Sequence, residues 1–421
     1  MHKVININGT DLVFTPFKGR DTASLGVFLK VGGRYETNNL KGIAHFLEHL
    51  LFKGSKHYSY RKIKREIEGR GGALNGFTSQ ESTGFYAHFL KKNLDITLDI
   101  LLDMVLCPSL KADDVEKERR VILEEIKMYN DIPTSRVVML LDKLLWPKHQ
   151  LGQEVAGEMA SVERITRKDL INFKDKYYQP SNIVVSCSGD FAQDALVNLI
   201  NKKIKSKSAK VKHQLLSPGS LTGMHIDVER KKLEQAHLCV GFRSPSYLSS
   251  DRLTSELLNI IMGANMSSRL FEEVREKRPL CYDISTEVRK YRDSGAFIIH
   301  IGLDKSRIKL ALGRIIKELK KIKEKKISLS ELARAKDFFF GQSVMVLERP
   351  EGRMFFNAES HLKTGRINSV EQIKEKITQI TPQQISEVAR KIFNIHNICV
   401  GCVGDMAADT EKEITNIIRT A

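Results

Sequence analysis

The sequence predicts an α+β protein of two homologous domains, each a mostly antiparallel sheet covered by helices. Three observations predict it. Residues 182–191, NIVVSCSGDF, are echoed by residues 397–406, NICVGCVGDM, about half of the 421-residue chain later. The stretches ahead of each echo follow one order: strand-like, then helix-like, then long charged and amphipathic segments. Between the two series lies IKSKSAKVKHQLLSPGSLTG (204–223), with the Lys, Ser, Gly and Pro content and weak periodicity of a connector. A repeat at half the chain length is most simply a duplicated domain. The expected boundaries are 1–203, a connector at 204–223, and 224–421.

Each element has a local reason. MHKVININGTDLVF (1–14) reads as two short strands around a turn at Asn8-Gly9. ASLGVFLKVGGRYE (23–36) and AHLCVGFRSP (236–245) alternate as strands do, and GIAHFLEHLLF (42–52) and DRLTSELLNIIM (251–262) carry helical periodicity. GGALNGFTS (71–79) predicts a strand at a sheet edge with close backbone approach. Such an edge can pair with an extended peptide through main-chain hydrogen bonds. ADDVEKERRVILEEIKMYND (112–131) is a helix whose opening acids, Asp113 and Asp114, suit its N-terminus. The two echoes are β-branched runs ending in Gly-Asp, each a buried strand followed by a turn. Helices are expected on one face of each sheet.

Composition narrows the function classes. With 41% hydrophobic and 28% charged residues, the chain is an ordinary globular protein with material for sizeable cores. No stretch approaches the ~20 apolar residues that span a bilayer. The N-terminus lacks the apolar core and cleavage site of a signal peptide, so a cytoplasmic protein without a membrane partner is expected. Six scattered cysteines fit a reduced compartment better than a disulfide framework. The net charge of +17 would suit an anionic partner. However, the bases are interleaved with acids, as in KELKKIKEKK (317–326), which is the pattern of a solvated helix face. No nucleic-acid-binding motif is present, so no nucleic-acid partner is expected.

The chemistry concentrates at His-Phe-Leu-Glu-His, residues 45–49. On a helix, His45 and His49 lie one turn apart on one face and can reach one zinc ion, while Glu48 leans over the same spot. This is H-x-x-E-H, the reverse of the commoner zincin order. Neutral imidazoles bind zinc, and a carboxylate beside the metal can take a proton from water. A third protein ligand is needed. The 112–131 helix offers Glu118 and Glu125, seven residues apart on a face shared with Ile122 and Tyr129. Acids on such a face need partners. Helical geometry alone leaves both zinc and nearby arginines open as those partners.

Several segments together resemble the pitrilysin, insulin-degrading enzyme and mitochondrial processing peptidase family in its small two-domain form. They are GIAHFLEHLLFKGS (42–55), GGALNGFTSQESTGFYA (71–87), VEKERRVILEEIKMYNDIP (115–133), HQLGQEVAG (149–157), YYQPSNIVVSCSGD (177–190) and MSSRLFEEVREKRPLCY (266–282). The resemblance covers nearly the whole chain. It implies a zinc metalloendopeptidase with one Zn2+ per chain, held by His45, His49 and Glu125. Glu48 is then the general base, and Glu118 supports catalysis from beside the metal. It also implies that the 71–79 strand binds substrate, with Asn75 and Phe77 as contacts. In VREKRPLCY (274–282), Arg275 and Tyr282 match an Arg and a Tyr that stabilise the developing oxyanion.

Pro279 and Cys281 depart from the Gly and small residue usual in that loop, and Gly76 replaces the usual Ala. The second half has no H-x-x-E-H, so it is expected to bind substrate rather than metal. Cys399-x-x-Cys402 lies in a strand with no second pair following, and is expected to be core. His57, His88, His149, His300 and His396 belong to no comparable constellation. Larger relatives enclose a chamber with four such domains. A two-domain chain carrying both the zinc motif and the Arg/Tyr pair is therefore expected to form a homodimer with composite sites, acting on peptides or unfolded segments. The alternative is a non-catalytic, partner-dependent subunit of a processing-peptidase-like complex.

Overall fold

The computed structural model describes residues 2–205, 210–213 and 215–420; the expected connector at 204–223 thus lies partly outside the described residues. The first sheet has six strands in the order β1-β2-β6-β3-β5-β4. These are β1 (Lys3–Ile7), β2 (Thr10–Pro16), β3 (Thr22–Leu29), β4 (Ala73–Thr78), β5 (Thr83–Leu90) and β6 (Ile183–Gly189). The second sheet has five, ordered β7-β11-β8-β10-β9. They are β7 (His225–Arg230), β8 (Ala236–Arg243), β9 (Cys281–Lys290), β10 (Gly295–Leu303) and β11 (Cys399–Gly404). All neighbours are antiparallel except β2/β6 and β7/β11.

Setting β7 against β2 makes order and direction match strand for strand across the five shared positions. The echoed segments are β6 and β11, each a member of the single parallel pair of its sheet. The two edge strands β4 and β9 are likewise equivalent. The Asn8-Gly9 turn closes the β1–β2 hairpin, with φ of 51° and 98°, a conformation Asn and Gly tolerate best.

Both sheets are covered on both faces, which corrects the expectation of one. The signal is burial without alternation: every residue of β6 and of β11 is buried. Each second cover is a helix from the other half of the chain. Compactness accordingly divides the chain into Met1–Lys127, Gln153–Leu215 and Val344–Ser369 in one unit, and Met128–Gly152, Leu216–Ser343 and Val370–Ala421 in the other. The units do not follow a single cut at the connector, because each half leaves one sheet face bare.

In the first unit the helix Pro350–Thr364 lies on β6, β3 and β2. Met354 and Ala358 pack on Phe28. Buried polar bonds fix the seating: Asn357 donates to Thr15 Oγ1 (2.6 Å), Ser186 donates to the Met354 carbonyl (2.8 Å), and His361 pairs with Asp11 (2.9 Å). In the second unit the helix Pro133–Leu145 lies on β11 and β8. Leu141 covers Gly241, Arg289 Nη1 donates to both carboxylate oxygens of Asp142 (2.9 and 2.8 Å), and buried Trp146 donates to Ser294 Oγ (3.0 Å).

Cys399 and Cys402 point to opposite core layers, as an i, i+3 pair on a strand must. Both thiols are free, and burial pushes each up to about 12. Among the described residues, no helix is long and apolar enough to cross a membrane.

Candidate metal centre

The H-x-x-E-H segment forms the helix Ile43–Leu51. Its apolar side, Ile43, Ala44, Phe46, Leu47, Leu50 and Leu51, is buried, which leaves His45, Glu48 and His49 on the remaining side. The start of this helix is built from a distance. Gly42 has φ 89°, and a Cβ there would sit 2.6 Å from the Ala156 carbonyl. The facing Gly157 has φ 83° and would meet the Lys41 carbonyl at 2.6 Å. Two backbones therefore touch where any side chain would part them. Glu36 accepts from the Gly42 and Ala44 N–H groups (2.8 and 2.9 Å), filling donors that a helix N-terminus leaves open. Burial pushes its carboxyl up to about 8 against the pull of those two bonds.

The second contributing helix is Ala112–Asp131, with the bounds the sequence suggests. Val115, Glu118, Ile122 and Ile126 form its buried stripe, whereas Tyr129, expected on that face, is exposed. Glu125 lies beside the stripe and reaches the two histidines: His45, His49 and Glu125 offer ligand atoms all within 4.8 Å of one another. His49 Nε2 is 3.3 Å and His45 Nε2 3.8 Å from Glu125 Oε2. Donors bound tetrahedrally to zinc at ~2.0–2.1 Å stand roughly 3.3–3.4 Å apart. One spacing matches, the other lies within a few tenths of an ångström, and two imidazoles with a carboxylate are a fitting donor set. Glu124, the alternative in the Glu-Glu pair, is 73% exposed and pairs with Lys127 (2.7 Å).

The surroundings set the charge. Glu118 Oε2 lies 3.2 Å from His49 Nδ1, and Lys53 Nζ holds Glu118 Oε1 at 2.6 Å. This carboxylate orients the ring so that Nε2 faces Glu125, the usual outer support of a histidine ligand. Burial raises the Glu118 carboxyl, but its bonds to His49 and Lys53 win and hold it below the ordinary range. Burial disfavours charge on His49, yet the bonds to Glu118 and Glu125 bring it to about 9. His45, driven by burial and then by His49, falls to about 4 and is a neutral ring. Glu48 is raised by burial, against the bond donated by Thr78 Oγ1 to its Oε2 (2.6 Å). A carboxyl raised toward neutrality suits general-base work.

Thr78 ends β4, which is an edge strand as the sequence suggests. Strand alternation sends Gly76 and Thr78 toward Glu48, and Asn75 and Phe77 to the other face. Asn75 is exposed. Phe77 packs instead against Phe28 and Phe355, ring centroids 6.2 and 6.1 Å away. Its ring thus belongs to the cluster under the Pro350–Thr364 helix, on the face away from Glu48.

Arg275 and Tyr282 lie in the second unit. Arg275 sits in the π-helical turn Phe271–Glu276, its guanidinium 4.6 Å from the Phe271 ring centroid and 5.7 Å from that of Tyr282. Gly302 opposes Asp283 while Leu303 opposes Cys281, so Tyr282 is the extra residue of a β-bulge. Bulges re-aim side chains, and Tyr282 is 78% exposed. Pro279 does not loosen the loop: its carbonyl accepts from Arg307, and Leu280 N–H bonds to the Val274 carbonyl (3.0 Å).

Residues 13–159 match the insulinase family, peptidase family M16, and residues 164–339 match the domain described as the peptidase M16 inactive domain. A Bacillus subtilis protein described as the uncharacterized zinc protease YmxG is 31% identical over 393 residues, covering 92% of this chain and 94% of that one. The chain belongs to peptidase family M16. A Mycobacterium tuberculosis protein, also described as an uncharacterized zinc protease, is 33% identical over 89% of this chain and 86% of its own. Among solved structures, a protease from Helicobacter pylori shares the fold with a TM-score of 0.91 at 22% identity, covering 96% and 99% of the two chains. A Pseudomonas fluorescens structure described as a peptidase M16 inactive domain gives 0.84 at 18% identity, covering 97% and 98%. In this M16 chain the cluster of His45, His49 and Glu125 falls within the insulinase match. Sequence reasoning missed three residues around it: Glu36, Lys53 and Thr78. Lys53 carried a usable signal, standing one helical turn beyond His49; the other two act across the fold.

Proposed function

We propose that this M16 chain is a zinc-dependent endopeptidase acting on peptides or unfolded polypeptide segments. One observation carries the reading: His45, His49 and Glu125 converge as a ligand set, with Glu48 held beside them and the free edge of β4 next to Glu48. A zinc ion held by the three would acidify water and polarise a peptide carbonyl. The outer main-chain groups of β4 align an extended substrate by strand addition. Glu48 takes the proton of the attacking water and hands it to the leaving amine. Glu118 keeps His49 oriented. Arg275 and Tyr282, already neighbours, donate to the oxyanion of the tetrahedral intermediate.

Purified protein should hold about one zinc per chain and cleave quenched fluorescent peptides. A chelator should abolish cleavage, and added zinc should restore it. A protein that cannot be loaded with metal sinks the assignment. One that holds zinc yet cleaves nothing points to a partner-dependent subunit.

We further propose a homodimer enclosing a chamber, each site joining the zinc ligands of one chain to Arg275 and Tyr282 of its partner. The support is that one chain carries both parts, in separate compact units. Mixing inactive His49→Ala and Tyr282→Phe proteins under subunit exchange should restore about a quarter of the sites, as random pairing dictates. Exchange without recovery overturns the composite site.

A further inference from the structure

The edge strand does more than offer main-chain groups. A glutamate carboxyl turns easily about its last bond, because that torsion is broad and roughly two-fold. A base that must meet one water therefore needs something to hold it. Both oxygens of Glu48 meet β4. Oε2 accepts the Thr78 hydroxyl at 2.6 Å. Oε1 lies 3.2 Å from where a Cβ on residue 76 would stand, and the Phe52 ring is 3.0 Å from the same point. Positions 76 and 78 are two apart, so they share the strand face toward Glu48. Threonine is stiff at χ1, which aims its hydroxyl without further support. Glycine at 76 leaves the space that the other oxygen and the Phe52 ring occupy.

We propose that Thr78 is the positioning residue of Glu48: β4 seats the base from the strand whose outer edge receives the peptide. Substrate alignment and base orientation then come from one six-residue strand. This rests on the peptidase reading. The test compares the full-length zinc-loaded protein with Thr78→Val, which keeps the shape and removes the donor, and with Thr78→Ser, which keeps the donor. Thr78→Val should lower kcat about ten- to a hundredfold, the worth of a hydrogen bond to a charged group. KM, zinc content and Tm should stay near wild type, and Thr78→Ser should recover most of kcat. A wild-type kcat in Thr78→Val, or an equal loss in Thr78→Ser, overturns the proposal; so does a loss that follows zinc content or Tm. Crystal structures of the two variants supply a readout independent of cleavage. The Glu48 carboxyl should leave its position in Thr78→Val and keep it in Thr78→Ser. If wild type cleaves no peptide, the peptidase reading falls, while an unmoved Glu48 in Thr78→Val overturns the seat alone.

Discussion

Glu48→Gln is expected to keep about one zinc per chain and to lose cleavage by roughly three orders of magnitude, within the range general acid–base catalysis supplies. The geometry separates the two properties. The proposed ligand set is His45, His49 and Glu125, whose donor atoms converge, and Glu48 is outside that group. Glutamine has the shape of glutamate, and its amide oxygen can still accept from Thr78. It cannot take up a proton at neutral pH. Binding should therefore persist while proton transfer stops, a deficit of about 4 kcal/mol in the barrier. Metal analysis and peptide kinetics on the same sample decide it. If zinc is lost together with activity, Glu48 belongs to the ligand set; if activity survives, another group is the base.

Residues 1–223 expressed alone are expected to fail to fold. That fragment contains every strand of the first sheet but lacks Pro350–Thr364, the helix on its second face. Without it Phe28 loses Met354, Phe355 and Ala358, and Thr15 and Ser186 lose their buried partners. Three or four large side chains at roughly 1.5–3 kcal/mol each rival the ~5–15 kcal/mol that holds a whole domain. Co-expression with residues 224–421 should return a soluble, zinc-binding complex. Cooperative unfolding and zinc binding by the fragment alone would show the exchanged helix to be dispensable.

Both cases mark where the sequence is legible. His45, Glu48 and His49 could be read directly because their relation is local, one turn of one helix. The repeat was legible because β6 and β11 retain many of the same residues in equivalent strands, each paired in parallel with its own neighbour. Glu125 could not be separated from Glu118 by helical spacing, since both share one stretch of helix. The difference lies in what each meets, His49 Nε2 on one side and His49 Nδ1 with Lys53 on the other. Thr78 and Glu36 act through contacts whose partners lie elsewhere in the chain, so no period marks them. The unbroken run in NIVVSCSGDF does announce a strand buried on both faces. That its second cover comes from residues 350–364 is a long-range fact with no local trace. The face that Phe77 takes was equally hidden, because a motif names residues, whereas the pleat decides which way each one turns.

The two equivalent edges also differ in how they are guarded. β9 carries Asp283, Glu287, Arg289 and Lys290, charges of the kind that deter another chain from adding to a sheet. β4, ALNGFT, carries none and is defended only by its shortness and one glycine. The protein thus tolerates a self-association hazard on one edge and suppresses it on the other. The tolerated edge is the one beside His45, Glu48 and His49, where the proposed peptidase would turn the same stickiness to use on an extended substrate.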